Sequence, residues 1–205
     1  MLDYKTMKVP EYFIDKYIRP SCHDDQRIVE AFNTVPRQFF MDNNPKAYTN
    51  DTQPIGMGQT ISQPSLVAEM LYELEIDKNH KCLEIGAGSG FVTALLSKLA
   101  DEVFALELLS ELRAKAQEKI RQMKIINVRL FTADGALGFP DKAPYDRILV
   151  SAGAKNMPKA LEDQLAEGGI MIIPLNDILT KVIKNKGELT QKQLAKVRFV
   201  DFVNS

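Results

Sequence analysis

The sequence predicts an α/β fold, a mostly parallel, doubly wound sheet preceded by an N-terminal helical extension. Three observations carry this reading. From residue 81 onward, short apolar runs with strand character alternate with stretches of helical periodicity. A glycine-rich turn, Gly86-Ala87-Gly88-Ser89-Gly90, joins the first such run to the first such helix. The chain has 205 residues and neither an internal repeat nor a low-complexity segment, which suits one domain with some decoration.

Residues 1–50 read as the helical extension and residues 51–205 as one folded unit. Tyr12, Phe13, Tyr17 and Ile18 recur at helical spacing until Arg19-Pro20 stops the run. Asp24 and Asp25 open a second helix that carries Ile28, Val29 and Phe32 and ends before Pro36. From Asp42 to Gly58 the chain is rich in Asn, Pro, Gly and Asp and reads as a long loop; such loops are usually functional or disordered. Ser62-Gln63-Pro64-Ser65 then starts a helix bearing Leu66, Val67, Met70, Leu71 and Leu74, because an oxygen-bearing side chain followed by proline marks a first turn.

The period changes at Lys81. Cys82–Ile85 reads as a strand, Phe91–Leu99 as a helix, Val103–Leu106 as a second strand and Ser110–Met123 as a charged helix. Val128–Thr132 and Arg147–Val150 make two further strands, Ala160–Ala166 a short helix and Ile170–Ile173 a fifth strand. The tail from Ile178 to Val203 reads as β structure around the turn Asn185-Lys186-Gly187.

Composition narrows the function classes. The chain is 45% hydrophobic and 26% charged, with a formal net charge of -1, so no global basic field advertises a nucleic acid. Cys22 and Cys82 lie far apart in no metal-ligand or redox spacing, and Cys82 reads as a small buried hydrophobe. No apolar run approaches the ~20 residues that span a bilayer, and no segment reads as a signal peptide. The expectation is a cytoplasmic monomer without a membrane or nucleic-acid partner.

Ligands of such sheets bind beyond the carboxyl ends of the strands, so the residues after each strand carry the functional information. After the first come Gly86, Gly88 and Gly90, where the backbone turns sharply and a helix offers free N–H groups to an anion. After the second comes Glu107, suited to accept hydrogen bonds from ribose hydroxyls. After the third comes Asp134-Gly135, whose carboxylate suits an adenine amine. Nicotinamide and flavin enzymes carry G-x-G-x-x-G, whereas here the third glycine comes one place early and Phe91 follows it. Glu84 ahead of the loop and Asp134 after the third strand fit S-adenosylmethionine better, with the methionine carboxylate as the anion. The fold is then the Rossmann-like methyltransferase form.

Upstream lies Gly58-Gln59-Thr60-Ile61-Ser62-Gln63-Pro64. Val35-Pro36-Arg37, Ala143-Pro144-Tyr145-Asp146 and Pro158-x-Ala160-Leu161-x-x-Gln164-Leu165-x-x-Gly168-Gly169 accompany it in order. Together these segments resemble the protein-L-isoaspartate O-methyltransferase family, over about residues 24–174. Met57 and Asp201 depart from that pattern: many relatives carry a polar or ring-bearing residue at the first position and proline at the second. The resemblance implies methylation of the α-carboxylate of L-isoaspartyl residues in damaged proteins, followed by collapse of the ester to a succinimide. It implies Ser62 as the active-site hydroxyl; Thr60 either assists or bonds within the turn, and Arg37 is available to pair with a substrate carboxylate. A serine before a helix is also a common cap, and an arginine after proline is often a solvated charge. His23 and His80 lie in no catalytic-looking segment. The alternatives are a methyltransferase of this fold acting on a small molecule or RNA, and a silent binding module that keeps the fold.

Overall fold

The computed structural model describes residues 4–42 and 44–202. The N-terminal part winds through α1 (Glu11–Phe13), a wider π turn (Ile14–Ile18) and a 3-10 turn (Pro20–Cys22) into α2 (Gln26–Thr34). Asp25 caps α2, its carboxylate accepting from the Arg27 amide at 2.9 Å. Phe13, Ile14, Ile18, Ile28 and Phe32 are buried in the same cluster as Val67, Leu71, Ala105 and Leu149. The N-terminal helices therefore complete the core of the sheet domain, and their apolar faces have no separate core to fill.

Two short strands follow, β1 (Gln53–Gly56) and β2 (Gln59–Ile61), paired antiparallel as a hairpin. The first lies inside the segment read as a loop; Asn43 in that segment is outside the described residues. Then come α3 (Pro64–Glu73), β3 (Lys81–Ile85), α4 (Phe91–Leu99), β4 (Glu102–Glu107), α5 (Ser110–Gln122) and β5 (Val128–Thr132). The chain continues through β6 (Tyr145–Val150), α6 (Lys159–Gln164), β7 (Leu165–Leu175), β8 (Ile178–Asn185) and β9 (Glu188–Lys196).

The expected helix over 160–166 ends early because Leu165 turns extended and pairs with Tyr145, opening β7. The tail splits into two strands about a turn in which Lys186 and Gly187 both have positive φ, the backbone a tight hairpin needs. Val203, included in the expected β tail, lies outside the described residues.

The main sheet runs in the order β5-β4-β3-β6-β7-β8-β9. β3 to β7 are parallel, and β8 and β9 antiparallel. Side-chain alternation loads both faces: Val103 and Ala105 of β4 belong to the cluster under α4 and α5, while Phe104 and Leu106 belong to the cluster containing Leu161 of α6. Strand order reverses at β3, because β4 and β5 lie on one side of it and β6 on the other. That switch opens a crevice at the carboxyl ends of β3, β4 and β6.

Candidate active site

A cleft occupies this crevice. Its walls include Gly86, Gly88, Glu107, Asp134 and Gly135 from the strand ends and Thr60 and Ser62 from the segment before α3. Its non-atom space, counted out into the open mouth, is about 1160 Å³.

The glycine loop is fixed by backbone bonds. Gly86 and Ala87 amides both donate to the Leu106 carbonyl, at 2.9 and 3.0 Å, and the Gly90 amide donates to the Ala87 carbonyl at 2.8 Å. Gly90 is the N-cap of α4 with φ 85, and a Cβ there would lie 3.1 Å from the Ala116 Cβ of α5. Its role is to let two helices meet, and it is not on the cleft wall. The amides in the first turn of α4 have no intrahelical acceptor, and Phe91 and Val92 of that turn border the cleft.

Glu107 is 7% exposed at the tip of β4. Its Oε2 accepts from the Gly88 amide at 2.8 Å and its Oε1 from the Leu109 amide at 3.0 Å. The carboxylate thus staples the glycine loop to the end of the next strand. Each oxygen keeps a further lone pair for a cleft ligand. Asp134 caps a short turn, Oδ1 accepting from the Ala136 amide at 3.0 Å. Gly135 beside it has no room for a side chain, since a Cβ would come within 2.2 Å of Ile85 Cγ2.

Glu84 is not on the wall. It is fully buried on the β3 face that α4 covers, and both carboxyl oxygens lack hydrogen-bond partners, as does the Thr93 hydroxyl near it. The sequence expectation placed Glu84 against the ligand; alternation along β3 turns it to the back of the glycine loop instead. Burial pushes its carboxyl up to about 7, with Thr93 opposing and the charge of Glu107 adding. The folded chain therefore favours the neutral acid: this contribution is fully present below pH 4.5 and lost as pH rises through about 7. Replacing Glu84 with glutamine should raise stability relative to the parent by up to about 3 kcal/mol on going from acid to about pH 8. Thermal unfolding of both proteins across pH reads this directly, and a constant offset would contradict it.

Elsewhere on the cleft lining, Thr60 pairs with Pro54 across the hairpin, and Ser62 follows the end of β2. The Ser62 hydroxyl makes no hydrogen bond among the described residues. The cap position of α3 belongs to Gln63, with Pro64 at the first helical position, so Ser62 stands outside the helix. Asn50 serves the helix start instead, its Oδ1 accepting from the Ser65 amide at 3.0 Å.

Arg37 is absent from the cleft wall. Its side chain is 1% exposed and donates to the backbone carbonyls of Ala47, Asp51 and Ser62. The expectation that it meets a substrate carboxylate is corrected accordingly, because every one of those bonds is to the chain's own backbone. Met57 sits at the hairpin turn with φ 54 and is likewise off the wall.

Two groups of wall residues escaped the sequence reading. Ser151 and Ala152 follow β6 and were accessible to the strand-end rule. Arg198 to Phe202 return from beyond β9 and close one side of the cleft. Two backbone bonds hold them there, Gly153 amide to Val200 carbonyl and Phe202 amide to Gly153 carbonyl, both 2.8 Å. No local pattern announces such a long-range contact.

A seven-stranded sheet of this order, with its cleft over a glycine loop at the strand tips, defines the Rossmann-like methyltransferase class. A model of the protein-L-isoaspartate(D-aspartate) O-methyltransferase family matches residues 9–205. The chain belongs to this family. It is 43% identical over 185 residues to protein-L-isoaspartate O-methyltransferase 1 of Syntrophobacter fumaroxidans, covering 87% of this chain and 86% of that protein. The protein-L-isoaspartate O-methyltransferase of Dictyoglomus turgidum is 38% identical over 97% of this chain and 96% of its own length. The fold is shared with a Plasmodium falciparum protein-L-isoaspartate O-methyltransferase structure in complex with S-adenosyl-L-homocysteine. That match has a TM-score of 0.84 and 24% identity, over 94% of this chain and 97% of that one.

Proposed function

We propose that the cleft binds S-adenosylmethionine along the strand tips and methylates the α-carboxylate of L-isoaspartyl residues in damaged proteins, beginning their repair. The observation that carries this is one cleft lined by two chemically different sets of residues. Gly86, Gly88, Glu107 and Asp134 come from the strand tips, and the hydroxyl residues Thr60 and Ser62 from the segment before α3. Glu107 would take the ribose hydroxyls, Asp134 the adenine amine, and the first turn of α4 the methionine carboxylate.

The bound cofactor supplies an electrophilic methyl on a sulfonium. The substrate carboxylate, with a reference pKa near ~3.5, is already ionised at neutral pH, so the chain need supply no general base. What remains is positioning: oxygen, methyl carbon and sulfur must be held nearly in line. The Ser62 hydroxyl donates to one oxygen of the carboxylate. Because a donor on the attacking oxygen would lower its nucleophilicity, that bond belongs on the other one. With the cofactor bound, transfer of its methyl to that carboxylate would leave a neutral ester and a neutral thioether. Attack by the following backbone nitrogen then expels methanol and closes the succinimide.

A formal charge of -1 offers no field for nucleic acid, and among the described residues no helix is long and apolar enough to cross a membrane. The two described cysteines are free and buried, which fits the reducing cytoplasm. An isoaspartyl peptide incubated with methyl-labelled cofactor should carry a base-labile ester that releases labelled methanol. Label stable to base, as on nitrogen, would contradict the reading.

A further inference from the structure

Arg37 has no ion-pair partner among the described residues and yet is almost fully buried, at 1% exposed. Its Nη1 donates to the Ala47 carbonyl at 2.7 Å, and its Nη2 to the Asp51 and Ser62 carbonyls at 3.1 Å each. Its Nε has no hydrogen bond. The three acceptors come from both flanks of the segment that folds back as the β1–β2 hairpin. Burial draws the guanidinium down to about 10, still charged at neutral pH. A cation in this position is costly unless its donors are used, and a planar fork can hold several carbonyls in one geometry where an ammonium cannot.

The Ser62 carbonyl matters most of the three. Ser62 stands between β2 and the first turn of α3, in a stretch with neither ladder nor helix bonds of its own. Pairing of Gln53 with Ile61 fixes one side of it, and Asn50 fixes the start of α3 on the other. Between these, the bond from Arg37 sets the orientation of the Ser62 peptide, and with it the direction in which the hydroxyl leaves the backbone.

We propose that Arg37 is a positioning residue for methyl transfer, its buried guanidinium holding the Ser62 backbone so that the hydroxyl faces the cleft. The proposal depends on the reading of Ser62 as the substrate-facing hydroxyl. It concerns the segment that carries Ser62, because the hydrogen bonds of Arg37 reach Ala47, Asp51 and Ser62.

The test is a double-mutant cycle of Arg37→Lys and Ser62→Ala, reading kcat and KM for an isoaspartyl peptide and the Kd of S-adenosylhomocysteine by calorimetry. Arg37→Lys alone should lower kcat about 10- to 100-fold, the scale of a misplacement near 1 Å, with cofactor Kd within about threefold. In the Ser62→Ala background the same substitution should cost less than about twofold, since the hydroxyl it positions is gone. Multiplying losses, or a parallel loss of cofactor affinity, would overturn the proposal. Arg37→Gln serves as a second variant; failure of both to fold would also overturn it, making the guanidinium a support of the whole fold. Unchanged turnover in Ser62→Ala alone would instead remove the reading beneath the proposal, a result told apart from the others by that one arm.

Discussion

Replacing Ser62 with alanine lowers kcat on isoaspartyl peptide about 100-fold, while the affinity for S-adenosylhomocysteine stays within about twofold. The size follows from the task assigned to the hydroxyl. Losing one well-placed donor at a reacting centre costs about two to three orders of magnitude where charge builds up. Here charge is being neutralised, so the lower end applies, and orientation is the part that is lost. The selectivity follows from where the two residues arise: Ser62 comes from the segment before α3 and Glu107 from the tip of β4, and the serine side chain supports no helix cap, since the cap position is held by Gln63. Steady-state kinetics with calorimetry reads both halves. A variant that melts many degrees lower with proportionate losses in all parameters would show that the serine serves structure.

Replacing Glu107 with alanine weakens S-adenosylhomocysteine binding by on the order of 100-fold or more. Two hydrogen bonds from ribose hydroxyls to a carboxylate are worth about 1.5–3 kcal/mol each. The same substitution strips the acceptor from the Gly88 and Leu109 amides, which loosens the loop that approaches the ligand. Cofactor affinity should therefore fall further than the loss of ligand contacts alone predicts. Calorimetry and the ligand-induced rise in Tm both measure this. An affinity within about threefold of the parent would place the ribose elsewhere.

The parts of the fold set by local periodicity were legible from sequence. Phe91–Leu99 and Val128–Thr132 fall at the residues expected, because each is a continuous apolar or alternating run bounded by turn residues. The β1–β2 hairpin was not legible. Its strands have four and three residues, one contains Pro54, and the turn residue Met57 takes positive φ without being glycine. Its two flanks are tied together by a buried arginine from outside the segment, which no window of sequence displays.

The cleft shows the same division. Gly86, Gly88, Glu107 and Asp134 line it because strand ends in a parallel sheet converge by topology, and topology follows from element order. Glu84 and Arg37 are charged residues in motif-like settings, and charge in a sequence suggests exposure to a ligand. Both are buried. Which face of β3 an acid occupies, and which carbonyls a guanidinium meets, depend on packing partners distant in the chain. The wall from Arg198 to Phe202 is likewise tied by backbone bonds to Gly153, far from it in the chain.

Isoaspartyl repair requires discrimination between two peptides of identical composition. Methyl-labelled cofactor offered with an isoaspartyl peptide, and in parallel with its normal aspartyl twin, should label the first and leave the second at background. Equal labelling of the two, or none of either by a chain that binds the cofactor, would contradict it.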